Sequence, residues 1–209
     1  MSIRFTRGVV VALLVLFNVF SAGNASAPAY ENLIENASFE AVNEQGRPWP
    51  HSLAVYEGSA KVTIDSGQAR TGQNSVRIEG DGKSRGLFTT GVSVEGGKAY
   101  RVSLWYRTDE TIELGTVRLR LMAYHQPQTS DDNKVPWQFD WLLDPYEGDF
   151  QIEGPNFYAL NWQTAVDQWR LLTVSFRLPD AVVALRVEGF NWRGNGIVWF
   201  DDVSLVEID

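Results

Sequence analysis

Asp201 and Asp202 stand side by side in Ile-Val-Trp-Phe-Asp-Asp-Val-Ser-Leu, residues 197–205, with apolar residues alternating around them. Two adjacent carboxylates on a strand suit either of two environments. One is solvent at a strand edge; the other is a hard cation, since oxygens fixed by a strand make good calcium ligands. This stretch alone leaves both open. Alternation sends the two acids to opposite faces, so Asp202 is expected to be solvated or bonded to a neighbour. The only histidines are His51 and His125. His125 follows Tyr124, a pairing that could serve as base and acid in lyase chemistry on a polysaccharide, against the plainer reading of a polar strand end. Acids are numerous enough for the two carboxylates of a glycosidase, but number alone does not make a site. No nucleophile elbow, zinc-binding helix, phosphate loop or dinucleotide motif occurs.

The elements that must position these residues read as strands. Between Lys98 and Thr108, Tyr100, Val102, Leu104 and Tyr106 share one face, with Arg101, Ser103, Trp105 and Arg107 opposite. Val117, Leu119, Leu121 and Ala123 repeat the pattern against Arg118, Arg120, Met122 and Tyr124. Leu185 and Val187 do so against Arg186, Glu188, Phe190 and Trp192. Further strands are expected around Leu33–Ile34, Val55–Tyr56, Ala60–Asp65, Val76–Ile78, Leu87–Thr90 and Trp169–Leu178, with Phe39 as an aromatic plug beside Glu40 and a Pro-rich loop seating Trp49. Turn signals recur about every ten residues and no helical period is sustained. The pattern predicts an all-β fold, a two-sheet β-sandwich or jelly roll.

The stretch from His125 to about 168 breaks this rhythm. It is far longer than an ordinary connection of about 4–6 residues. It carries Trp137, Phe139, Trp141, Tyr146, Phe150, Phe157, Tyr158 and Trp162 among many acids, with Lys134 as its one base before Asp167. Disordered linkers lack such a ring content, so a folded, acidic insertion is expected. Trp137, Phe139 and Trp141 alternate as a strand that buries its rings would, against the alternative of a stacking platform, and Asp131-Asp132-Asn133 reads as a surface turn, against that of a second cation site.

At the start of the chain, Arg4 and Arg7, an apolar run to Phe20, and small residues to Ala27 form the pattern of a secretory signal peptide. The run is too short for a membrane span. Cleavage is expected after Ala25 or Ala27, leaving residues 28–209 as one exported domain, periplasmic or extracellular. The absence of cysteine excludes disulfides and a lipid-modified cysteine anchor. A net charge of -8 argues against nucleic acid, whose phosphates need a basic footprint.

Five motifs in order, Asn32-Leu-Ile-Glu-Asn-Ala-Ser-Phe-Glu40, Thr71-Gly-Gln-Asn-Ser75, Gly97-Lys-Ala-Tyr-Arg-Val-Ser-Leu-Trp105, Trp169 opening a strand, and Val198-Trp-Phe-Asp-Asp-Val-Ser-Leu205, resemble the jelly-roll carbohydrate-binding modules attached to bacterial xylanases and cellulases, within the galactose-binding-like fold. The resemblance implies a structural calcium held by the side chains of Glu40 and Asp201 and by backbone oxygens of Ser38, Asn74 and Thr71. It also implies a glycan cleft on the concave sheet, lined by the strand near Leu87 and Phe88 and by Arg120, Tyr124, Arg186, Glu188 and Phe190, with Trp192 at the rim. Rings cover the apolar faces of sugars, and charged groups bond their hydroxyls. A non-catalytic poly- or oligosaccharide binder is therefore expected. A secreted structural or adhesive domain is the alternative, and a polysaccharide-degrading enzyme a more remote one.

Overall fold

A computed structural model describes residues 30–124, 144–148, 150–153, 156–159, 166 and 168–209. Among them there is no α-helix. The strands are β1 (Ser52–Tyr56), β2 (Lys61–Asp65), β3 (Ser75–Asp81), β4 (Arg85–Ser93), β5 (Ala99–Thr108), β6 (Val117–Tyr124), β7 (Asp144–Gly148), β8 (Phe150–Glu153), β9 (Asn156–Ala159), β10 (Arg170–Arg177), β11 (Ala184–Trp192) and β12 (Asn195–Glu207). They form two antiparallel sheets, in the orders β1-β4-β11-β6-β9-β8 and β2-β3-β12-β5-β10-β7. The fold is the two-sheet β-sandwich of a jelly roll.

The alternating sequence builds the core between the sheets. Tyr100, Val102, Leu104 and Tyr106 of β5 point inward, as do Val117, Leu119, Leu121 and Ala123 of β6. Leu185 and Val187 of β11 and Val198, Phe200, Val203 and Leu205 of β12 join the same cluster. Each large side chain covered in this way contributes about 1.5–3 kcal/mol relative to exposure. Phe39 is the expected plug. Its ring lies 4.8 Å from that of His51 and 5.3 Å from that of Phe88, which in turn meets Phe200 at 5.5 Å.

Several sequence expectations are corrected. The stretch around Leu33–Ile34 forms turns and bends rather than a strand. Asn32 and Asn36 explain this, since their side chains bond the backbone in place of a ladder: Asn32 Oδ1 accepts from Ile34 N, and Asn36 Oδ1 from Ala41 N. The segment still docks on β12, with Leu33 N donating to Leu205 O and Val203 N to Ala37 O. Trp49 is not seated in its loop but is 70% exposed. The insertion supplies strands to both sheets, with β7 beside β10 and β9 beside β6. Trp137, Phe139, Trp141 and Asp131–Asn133 lie outside the described residues, as do His125 and the leader.

Strict alternation fails in β12. Its register against β5 shifts between Asp201 and Ser204, and Asp202 takes a φ of 47°. Such a bulge re-aims side chains. Asp202 is therefore not sent away from the turn that Asp201 meets, and both acids reach residues 70–71.

Candidate functional site

The outward face of the first sheet is organised in rows set by strand register. Arg120 of β6 stands opposite Glu188 of β11, which stands opposite Thr89 of β4. One row along, Phe190 lies between Arg118 and Leu87. At the end of the strands, Trp192 pairs with Arg85 and Arg85 with Tyr56. In the other direction Arg186 lies beside Met122, and Ala184 beside Tyr124. From Ala184 to Trp192 the face extends about 27 Å at the usual strand rise.

Its floor is apolar and separate from the sandwich core. Leu87 and Phe190 form a second cluster, with Ala54 and Trp192 packed against it. The rings of Phe190 and Trp192 meet edge to face at 6.2 Å. Beside this floor, Arg120 Nε donates to Glu188 Oε2 at 2.7 Å, and Arg120 Nη2 reaches the same oxygen. The Arg120 guanidinium also lies 5.3 Å from the Phe190 ring centre. Burial of both charges is compatible with folding because they pair.

The six residues expected at the cleft thus share one face but divide by exposure. Phe190 is 0% and Glu188 3% exposed, and Arg120 is buried with them. Tyr124, Arg186 and Trp192 are half-buried and keep accessible surface. Of the neighbouring pair, Leu87 belongs to this face, whereas Phe88 points into the core, as adjacent strand residues must. Sequence reasoning missed Tyr56 and Arg85. Only the register of β1, β4 and β11 puts them beside Trp192, and nothing local in either segment signals it.

Of the residues expected to bind calcium, Glu40 and Asp201 meet the Arg70–Asn74 turn, which contains Thr71 and Asn74. Asp201 is 0% exposed, and its Oδ2 accepts from Arg70 N at 2.7 Å and Thr71 N at 3.2 Å. Its Oδ1 accepts from Asp202 N at 2.7 Å. Burial pushes the Asp201 carboxyl up to about 6 even though these donors favour its charged form, and the adjacent Asp202 charge adds to the rise. Asp202 accepts from Arg70 Nη1 at 2.5 Å and from Thr71 Oγ1 at 2.6 Å. Glu40 Oε1 accepts from Gln73 N at 3.0 Å and Asn74 N at 2.8 Å. Gly72 makes the close approach possible. At φ 63° it adopts the left-handed conformation, and a Cβ there would meet the Glu40 carboxyl carbon at 2.5 Å.

These donors occupy one oxygen of Glu40 and both of Asp201. No group of three or more His, Asp or Glu side chains suited to a metal gathers among the described residues. The fit to calcium is therefore partial: an ion here would draw most of its oxygens from the backbone, as the set with Ser38, Thr71 and Asn74 implies.

Neither a protein-family model nor a curated protein sequence matches the chain. Solved structures do. The enzymatically active domain of bacteriophage CBA120 tailspike protein 4 is similar with a TM-score of 0.58 at 11% identity, over 85% of this chain. This chain spans only 21% of that one. A family 16 carbohydrate-binding module matches with a TM-score of 0.51 at 16% identity, over 84% of this chain and 100% of its own. The module TmCBM61, solved with β-1,4-galactotriose, matches at 0.50 and 18% identity, over 85% and 99%. The fold of this chain is that of the jelly-roll carbohydrate-binding modules.

Proposed function

We propose that the protein is an exported, non-catalytic carbohydrate-binding module that holds a glycan on the outward face of β4, β11 and β6. One observation carries the reading. This face has its own cluster of Leu87 and Phe190, apart from the core, edged by the half-buried Trp192 and flanked by charged groups. Apolar surface for sugar faces beside fixed polar groups is the arrangement glycans need. The shared fold and the saccharide bound to TmCBM61 support the same ligand class. Tyr124, Arg186 and Trp192 make contact, while Arg120, Glu188 and Phe190 form the floor that positions them. The signal-peptide pattern supports export, and no helix among the described residues is long and apolar enough to cross a membrane.

A structural calcium completes the proposal, held by Glu40, Asp201 and backbone oxygens of Ser38, Thr71 and Asn74. Thermal unfolding with calcium and with chelator tests it. A higher midpoint with calcium supports the ion, and an unchanged one assigns the clasp to N–H groups alone.

A glycan array followed by affinity electrophoresis tests the binding function. Retention by a β-glucan, xylan or other glycan is expected, lost in Trp192→Ala and Tyr124→Ala. Retention unchanged in both variants refutes the location. The complete burial of Phe190 favours a second reading, a structural or adhesive domain, and absence of all glycan binding would favour that alternative further. Release of products from a bound glycan would make the protein an enzyme.

A further inference from the structure

The Trp192 end of this face carries a cationic stack in which one guanidinium meets two rings. The Arg85 guanidinium lies 4.6 Å from the Tyr56 ring centre and 5.1 Å from that of Trp192, so it sits between two rings contributed by β1 and β11. The guanidinium of Arg193 lies 5.6 Å from Trp192 and that of Arg118 6.0 Å. A single carboxylate stands close by among the described residues. It is Glu57, which accepts from Arg193 Nη2 at 2.7 Å and is held below its ordinary range mainly by that bond.

Arg85 itself has no carboxylate at ion-pair distance among the described residues, and its Nε is buried without a hydrogen-bond partner. Two rings thus fix the orientation of a permanently charged, planar group that Glu57, bonded to Arg193, attracts only through space. Tyr56 is 47% exposed, so the stack borders solvent. The sequence as a whole carries -8, which makes this local basic cluster run against its overall sign. A half-buried charge without a hydrogen-bonded acid, oriented by two rings beside the apolar floor of Leu87 and Phe190, suits a planar anion carried on a sugar.

We infer that Tyr56, Arg85 and Trp192 form a subsite for the carboxylate of a uronic acid residue, so that the protein selects acidic over neutral glycans. The inference rests on the carbohydrate-binding reading and names its ligand class. Arg85 donates to the carboxylate from its terminal amines while the flanking rings border the sugar. Arg118 and Arg193 add attraction at longer range.

Titration of the mature protein with polygalacturonate and polyglucuronate, each beside its methyl ester, tests this. A charge-assisted contact predicts about ten- to a hundredfold tighter binding of the acid at low salt. That preference shrinks as added salt screens the charge. In Arg85→Met the acid-to-ester ratio falls to about one. Arg85→Lys, which keeps the charge without the planar fork, retains part of it, and Tyr56→Ala reduces it by loosening the stack. Equal binding of acid and ester by the unmutated protein, or a ratio unaltered in Arg85→Met and Tyr56→Ala alike, overturns the subsite and leaves the carbohydrate-binding reading intact. Free sulfate or acetate binding as tightly as the polymers would make this an anion site without a sugar and overturn it as well. If no glycan of any kind is bound, the carbohydrate-binding reading itself fails.

Discussion

Arg120 and Glu188 face each other across β6 and β11 as a buried ion pair outside the sandwich core, with Arg120 Nε 2.7 Å from Glu188 Oε2. Their burial decides what substitution does. Glu188→Leu leaves the guanidinium without its partner and is expected to cost about 3–5 kcal/mol in urea unfolding. Arg120→Met combined with Glu188→Leu removes both charges and is expected to restore most of that loss. A double variant no more stable than Glu188→Leu would show that the pair is not the reason for the cost.

The turn at Gly72 is set against Glu40. Gly72→Ala introduces a left-handed alanine and a Cβ 2.5 Å from the Glu40 carboxyl carbon, so a loss of about 1–3 kcal/mol is expected. In a Glu40→Ser background the steric part disappears and the loss should shrink. A double-mutant cycle reads this directly. Equal losses in both backgrounds would assign the effect to φ alone.

The Thr71 hydroxyl donates to Asp202 Oδ1 at 2.6 Å across the bulge. Thr71→Val keeps the shape and removes the donor, with an expected cost of about 1 kcal/mol. Hydrogen exchange at the Asp202 and Val203 amides should rise in the variant. Unaltered exchange would show that the hydroxyl does not hold the bulge.

His51 gives the fold an acid-side sensitivity. Its Nε2 faces Asn36 O at 3.0 Å, so that nitrogen carries the proton, and Nδ1 is buried without a partner among the described residues. Burial lowers the ring below its ordinary value of 6.5, partly opposed by backbone carbonyls of Asn36 and Glu35. The unfolded chain therefore takes up the second proton first. The stability contributed by the neutral ring is complete above 6.5 and is lost as pH falls toward the depressed folded value. His51→Gln cannot titrate. The stability gap between the unmutated protein and this variant should be constant above about pH 7 and narrow below 6.5, and a gap independent of pH would refute the assignment.

Strand sequences showed the sandwich because apolar alternation and burial are the same fact read twice. Tyr100 to Tyr106 and Val117 to Ala123 face the core as their spacing requires. Two kinds of information were not legible. The bulge at Asp201–Asp202 depends on what β12 meets in the Arg70–Asn74 turn, over a hundred residues earlier, so local alternation sent Asp202 away from a turn that it meets. The Tyr56–Arg85–Trp192 stack depends on the register of three strands, and register is a property of the assembled sheet. That the candidate residues of β6 and β11 share one face was legible because those strands alternate cleanly. Their burial was not, because alternation tells which face a residue occupies and not what lies over it.

The place of β12 bears on how the molecule comes into being. The strand that comes last of the twelve runs through the middle of the second sheet, between β3 and β5. Those two strands have no ladder with each other and must wait, edges unpaired, until the rest of the chain has arrived. The closing contacts join residues as far apart as Asn32 and Leu205. Loop closure over such separations is slow, so the docking of β12 is expected to be a late step in folding. An unfinished chain shows open sheet edges that invite pairing with other chains, which makes the interval before β12 docks the time of greatest aggregation hazard.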